Sequence, residues 1–208
     1  MKFFIQTLLT IAVLVCGFVA GVRYQARVDN PETARTLVRV QRDRIGVLKD
    51  ETLKLRTLVR LREFLDEVRI RLPKTTVDGM ADSIYAASTR YEVPPEMILA
   101  VIRIESAFDI NAQSHKGAVG LMQILPSTAQ EIARELRIEW PGEDLLRDPS
   151  ANIEMGTYYL TKLIGQFNDL SVALTAYNHG PGTVARLAAT NADLPLGYSE
   201  KVLRHYSP

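Results

Sequence analysis

The stretch IESAFDINAQSHKGAVGLMQILPSTAQ, residues 104–130, takes over from an apolar run, PPEMILAVIRI, at residues 94–104. In that run Met97, Ile98, Leu99, Val101, Ile102 and Ile104 fall on every side of a helix, the pattern of a helix buried in a core. Pro94 and Pro95 mark its start, because proline is tolerated in a first turn. The helix ends in a carboxylate, Glu105. At that place the side chain is partly desolvated and lies at the negative end of the helix dipole. Both effects disfavour the ionised form, and a raised pKa is what a general acid near neutral pH needs. A solvent-facing glutamate at a helix end is the common alternative, so the surroundings decide.

Those surroundings are a small-residue loop with Ser114, Gly117, Gly120, Leu121, Met122 and Gln123. Two glycines three residues apart let backbone come close to a ligand. Gln123 can both donate and accept hydrogen bonds, as a sugar requires. Further on, Ala176-Tyr177-Asn178 runs into Gly180-Pro181-Gly182, which sets a phenol and an amide beside a tight turn. Met122 could equally be core, and Tyr177 a packed ring. His115, His179 and His205 do not share a helical ligand spacing, so no metal site and no cofactor is expected.

The remainder of the chain is helical in pattern. Residues 3–22, FFIQTLLTIAVLVCGFVAGV, carry no charge and are long enough to cross a bilayer. A cleavable signal peptide is the rival, but the run is long for one and lacks a clear A-x-A site. Arg23, Arg27 and Arg35 follow this span, which by charge bias alone would leave the body in the cytoplasm. From about Glu32 to Leu72 there is no proline and one glycine, Gly46, so a long helix is expected. Leu58, Leu61, Leu65, Val68 and Leu72 follow a spacing of three and four, with Ile45, Leu48 and Leu55 as a looser continuation. Such a seam permits a short coiled coil and a homodimer. Pro73 ends it, and helices follow at 77–91, 94–105, from Ser127, 151–167, 170–177 and 198–206. Cys16 is the single cysteine, so no intrachain disulfide can form. With 47% hydrophobic and 24% charged residues and a formal net charge of +1, the composition is globular, and no nucleic-acid partner is expected.

Taken together, the motifs resemble the soluble-lytic-transglycosylase-like domain, the glycoside hydrolase family 23 group related to goose-type lysozyme. The residues that carry the resemblance are Glu105-Ser106, Ser114, Gly117-Ala118, Gly120-Leu121-Met122-Gln123, Pro126-x-Thr128-Ala129, Asn152-Ile153, Gly156, Tyr159-Leu160 and Ala176-Tyr177-Asn178-x-Gly180-Pro181-Gly182. They cover residues 77–206 in family order. The resemblance implies an all-α, lysozyme-like fold and an enzyme that cuts peptidoglycan at the MurNAc–GlcNAc β-1,4 bond. It implies Glu105 as the sole catalytic carboxyl, first acid and then base, with a 1,6-anhydroMurNAc product. Tyr177 would orient that carboxyl, and Ser114, Gly120, Met122, Gln123, Asn178 and Tyr198 would line or contact the substrate. Where many members carry a Glu-Thr pair before a Tyr-Val segment, this chain reads LPLGYSEKV at 194–202, with Leu194 in the glutamate's place. Leu125 and His179 also depart from the family's usual residues.

The expected organisation is thus a membrane anchor at 1–28, a helical stalk at 29–73 and a catalytic domain at 74–208. The anchor would sit in the inner membrane with the catalytic domain in the periplasm, where peptidoglycan lies. A lysozyme-type hydrolase and a non-catalytic glycan-binding scaffold are the alternatives.

Overall fold

The computed structural model describes residues 31–206, and it is all-α with one short 3-10 helix. The elements are α1 (Pro31–Glu67), α2 (Lys74–Tyr91), α3 (Pro95–Ser106), α4 (Pro126–Leu136), a 3-10 turn (Glu143–Arg147), α5 (Pro149–Phe167), α6 (Leu170–His179), α7 (Pro181–Ala189) and α8 (Gly197–His205). Among the described residues extended pairing is limited to isolated bridges, Gln113 with Val119 and Val119 with Ile124. The expected anchor, residues 1–28, lies outside the described residues. Among those described, no helix is long and apolar enough to cross a membrane.

The chain divides into two units between Leu48 and Lys49. In the first, the described part is the opening of α1. Leu37, Val38, Val40, Ile45, Val47 and Leu48 are all exposed there.

The second unit begins well before the boundary expected at residue 74. Leu61, Phe64 and Leu65 of α1 are core residues, and Thr57 beside them is buried and donates to Leu53 O. Phe64 stacks on Phe108 at 5.9 Å, and Arg103 lies 5.0 Å above the Phe64 ring while pairing with Glu67. The stretch read as a stalk seam is therefore, from Leu58 onward, a face that packs on the helical body. A three-and-four spacing marks one buried helix face and does not say what buries it.

Within this unit α3 is wholly buried from Pro95 to Ile102. The long helix α5 packs against α2, α4 and α6. Proline opens α3, α4, α5 and α7, and the Asp148 carboxylate caps α5 by accepting from Ala151 N at 2.8 Å. The helix ends are less conventional. Glu92, Ala107, Arg137 and Asn168 take the left-handed conformation usually given to glycine.

Candidate active site

Helix α3 delivers Glu105 in its last turn, where the residues change from buried to partly buried. Ala107 and Phe108 then both adopt positive φ, 48° and 67°, which turns the chain sharply and drives Phe108 into the core. The reversal leaves the carboxyl on the wall of a cleft. A larger cavity of about 590 Å³ is lined by Glu105, Ser114, Gln123, Tyr159, Tyr177 and Asn178, among others. A smaller one of about 400 Å³ is lined by Glu105, Asn178, His179, Pro195, Tyr198 and Lys201, among others. Glu105, Asn178 and His179 belong to both, so the two cavities meet at the carboxyl. Among the described residues no other aspartate or glutamate lines either one.

Burial pushes the Glu105 carboxyl up to about 7, opposed in part by a hydrogen bond from Tyr198. That bond runs from Tyr198 Oη to Glu105 Oε1 at 2.6 Å. Burial, and then the nearby Glu105 charge, hold both the Tyr198 and the Tyr177 phenols well above the usual tyrosine range, so both remain protonated donors.

The phenol expected on Glu105 was that of Tyr177, and the structure gives Tyr177 a different partner. Its Oη donates to Met122 O at 2.8 Å, and its ring tilts against Tyr159 at 5.4 Å. Tyr198, read as a substrate contact, is the residue that touches the carboxyl.

The loop opposite is built on one buried amide. Asn152 Oδ1 accepts from Met122 N at 2.7 Å, while Nδ2 donates to Val119 O at 3.0 Å and Leu146 O at 2.8 Å. Gly120 is required by this arrangement. Its φ is 81°, and a Cβ there would stand 2.3 Å from both Asn152 Nδ2 and Leu146 O. Gly156 makes room in the same way for Met122, whose sulfur would lie 2.5 Å from an added Cβ. Met122 is fully buried, and neither it nor Gly120 lines the cleft. Both were expected at the substrate, but they shape the wall from behind. A glycine motif that admits close approach reads the same whether backbone or ligand comes close.

Gln123 faces the larger cavity with φ 50°, its Nε2 held by Ala112 O and Gly120 O at 3.1 and 2.9 Å. Its Oε1 is the part left for a ligand. Ser114 also lines that cavity, with its Oγ accepting from Ala118 N at 3.0 Å. Asn178 and His179 are exposed at the end of α6. Leu194 packs against Leu163, Ala173, Ala176 and Val184, so an apolar side chain at this position closes a satellite core. Lys201, Thr128 and Pro195 also line the cleft without having been singled out as site residues. Thr128 and Lys201 did stand inside recognised motifs, which was the available signal.

The chain is similar to known proteins in sequence and in fold. Residues 82–195 match the family model described as "Transglycosylase SLT domain". The membrane-bound lytic murein transglycosylase C of Edwardsiella ictaluri is 35% identical over 155 residues, 68% of this chain and 42% of that protein. The chain therefore spans less than half the length of this relative. The 70-kDa soluble lytic transglycosylase of Escherichia coli superposes with a TM-score of 0.54 at 33% identity, over 60% of this chain and 23% of that one. An inactive glutamate-to-glutamine mutant of the lytic transglycosylase Slt from Pseudomonas aeruginosa superposes with a TM-score of 0.51 at 31% identity, over 60% and 21%.

Proposed function

The chain belongs to the transglycosylase SLT domain family, and on that premise we propose that it is a peptidoglycan lytic transglycosylase with Glu105 as its one catalytic carboxyl. The observation that carries the reading is a single carboxyl, raised to about 7, at the junction of two cavities with no second acid in either. A two-carboxylate glycosidase places its second group about 5 or about 9 Å away. The relative made inactive by a glutamate-to-glutamine change points the same way.

The hydrogen-bond geometry suggests how one group serves twice. Oε1 accepts from Tyr198, so the acid proton belongs on Oε2, which has no protein partner among the described residues. Oε2 protonates the glycosidic oxygen as the C1–O bond of MurNAc breaks. The carboxylate left behind then takes the proton of the C6 hydroxyl as that oxygen closes onto C1. No water enters, and the acid form of Glu105 is restored. Tyr198 holds the carboxyl in place through both steps. Gln123 Oε1, Ser114 and Asn178 are the proposed sugar contacts.

Several further parts of the reading concern the whole protein. Residues 1–28 would anchor it in the inner membrane, with the catalytic domain, residues 74–208, in the periplasm. Relatives named as membrane-bound support the anchor. The exposed Val38, Ile45 and Leu48 leave room for pairing of two copies through α1.

The test is a digest of purified peptidoglycan by the full chain and by Glu105→Gln, with products weighed by mass spectrometry. Ends in 1,6-anhydroMurNAc, one water lighter than hydrolysed ends and absent with the variant, are expected. Reducing ends would mean a lysozyme-type hydrolase. No cleavage with intact glycan binding would mean a scaffold.

A further inference from the structure

Charge is distributed differently in the cleft than over the rest of the molecule. Along the chain acids and bases nearly cancel, at a formal net charge of +1. On the surface of the second unit, basic side chains repeatedly meet carboxylates: Lys54 with Asp82, Arg90 with Glu154, Lys162 with Glu135. In the cleft that pairing stops. His115 and Lys116 line the larger cavity, Lys201 the smaller one, and His179 both. Among the described residues none of these four side chains has an ion pair or a side-chain hydrogen bond. The one acid on either wall is Glu105, whose burial favours its neutral form.

The two lysines are also held in defined places. Lys116 sits in a turn closed by Gly117 N to Ser114 O at 2.9 Å and Ser114 N to Ala118 O at 2.9 Å. Lys201 stands three residues after Tyr198 in α8, so both project from one helix face, and Tyr198 is fixed by its bond to Glu105. Unpaired cations on a concave wall with no opposing acid raise the local potential and concentrate an anion there. Their donors also remain free for charge-assisted hydrogen bonds.

We infer that Lys116 and Lys201, one on each side of Glu105, with His179 between them, bind carboxylates carried by the glycan, so that the cleft selects strands bearing anionic substituents over a neutral glycan. The inference rests on the proposed glycan cleft. In peptidoglycan such carboxylates have two sources: the lactyl group of MurNAc where it is free, and the peptide stem where one is attached. Both recur on alternate sugars, so a strand running through both cavities presents them on either side of the bond at Glu105.

The experiment measures equilibrium binding of the full chain in detergent, in the Glu105→Gln background so that nothing is consumed. Three glycans of equal length are compared: stem-bearing strands, strands stripped by an amidase to the free lactyl carboxylate, and chito-oligosaccharide, which has no carboxylate. Adding Lys116→Gln and Lys201→Gln together should weaken binding of stem-bearing strands about tenfold at low salt. That loss should shrink at high salt, and chito-oligosaccharide should change less than twofold. A loss confined to stem-bearing strands assigns the contact to the stem, and an equal loss on stripped strands assigns it to the lactyl group. The same loss on chito-oligosaccharide, or no loss on any glycan, overturns the inference. Since binding is read without turnover, an absence of anhydro products in the digest would sink the enzyme reading alone.

Discussion

The two walls of the cleft are built in opposite ways. The loop wall, from Ala112 to Leu125, is closed from behind by buried groups: Asn152 satisfies three backbone atoms, Tyr177 a fourth, and Gly120 and Gly156 make room for the contacts. The opposite wall, the start of α8, reaches the Glu105 carboxyl through one hydrogen bond from Tyr198. A wall of buried, fully satisfied polar groups is stiff, because every displacement orphans a donor or acceptor. A wall joined by one phenol can adjust, and it acts directly on the Glu105 carboxyl. The first wall therefore governs stability, and the second the pH at which Glu105 ionises.

That contrast can be broken from either side. Gly120→Ala should have the largest effect. A Cβ 2.3 Å from a backbone oxygen, at a φ of 81°, cannot be absorbed by a flexible side chain. We expect a loss of about 4 kcal/mol, read as a fall of roughly 12 °C in melting temperature. Asn152→Ala should follow at about 3 kcal/mol, because it orphans Met122 N and Leu146 O in the interior and takes from Val119 O one of its two donors, the other being Ile124 N.

Glu105→Gln should act in the other direction. Between pH 4.5 and about 7 the folded protein keeps a proton on Glu105 that the unfolded chain has lost. The folded state thus binds more protons, and stability falls as pH rises through that window. Above it, at pH 8, the neutral glutamine should leave the variant about 2 kcal/mol more stable than the parent, although inactive. Thermal melts of both proteins at pH 4 and pH 8 check this, with little difference expected at the lower pH. The smallest effect on stability belongs to Tyr198→Phe, under about 1 kcal/mol. Its signature is kinetic. Tyr198 lowers the Glu105 pKa, so its removal should move the alkaline limb of the pH–rate profile upward while slowing the reaction. An unmoved limb would show that the phenol does not act on the carboxyl.

Much of this was legible in the sequence because it lies in local signals. Proline marks the starts of α3, α4 and α5, and the apolar run from Met97 to Ile104 ending in Glu105 places a raised acid at a helix terminus. Less was legible where partners are distant along the chain. Nothing near Tyr177 or Tyr198 says which phenol reaches Glu105, since those contacts span 55 and 93 residues. The helix ends at Glu92, Ala107, Arg137 and Asn168 lack the expected glycine, because tertiary packing holds left-handed residues that propensity disfavours. Helix α7 was hidden in a Gly-Pro-Gly turn, where Pro181 opens a helix rather than a loop. The core-facing part of α1 was hidden for a related reason. Leu61 and Leu65 show a buried face, but only the fold identifies the helical body as what covers it.

The most direct test is a titration of the Glu105 side chain itself. In the full chain, the 13C shift of its carboxyl carbon, assigned by its loss in Glu105→Gln, should follow a pKa of about 7. In Tyr198→Phe it should titrate higher still. A midpoint near that of an ordinary glutamate, about 4.3, would leave the carboxyl ionised at neutral pH and contradict its role as the acid that starts the reaction.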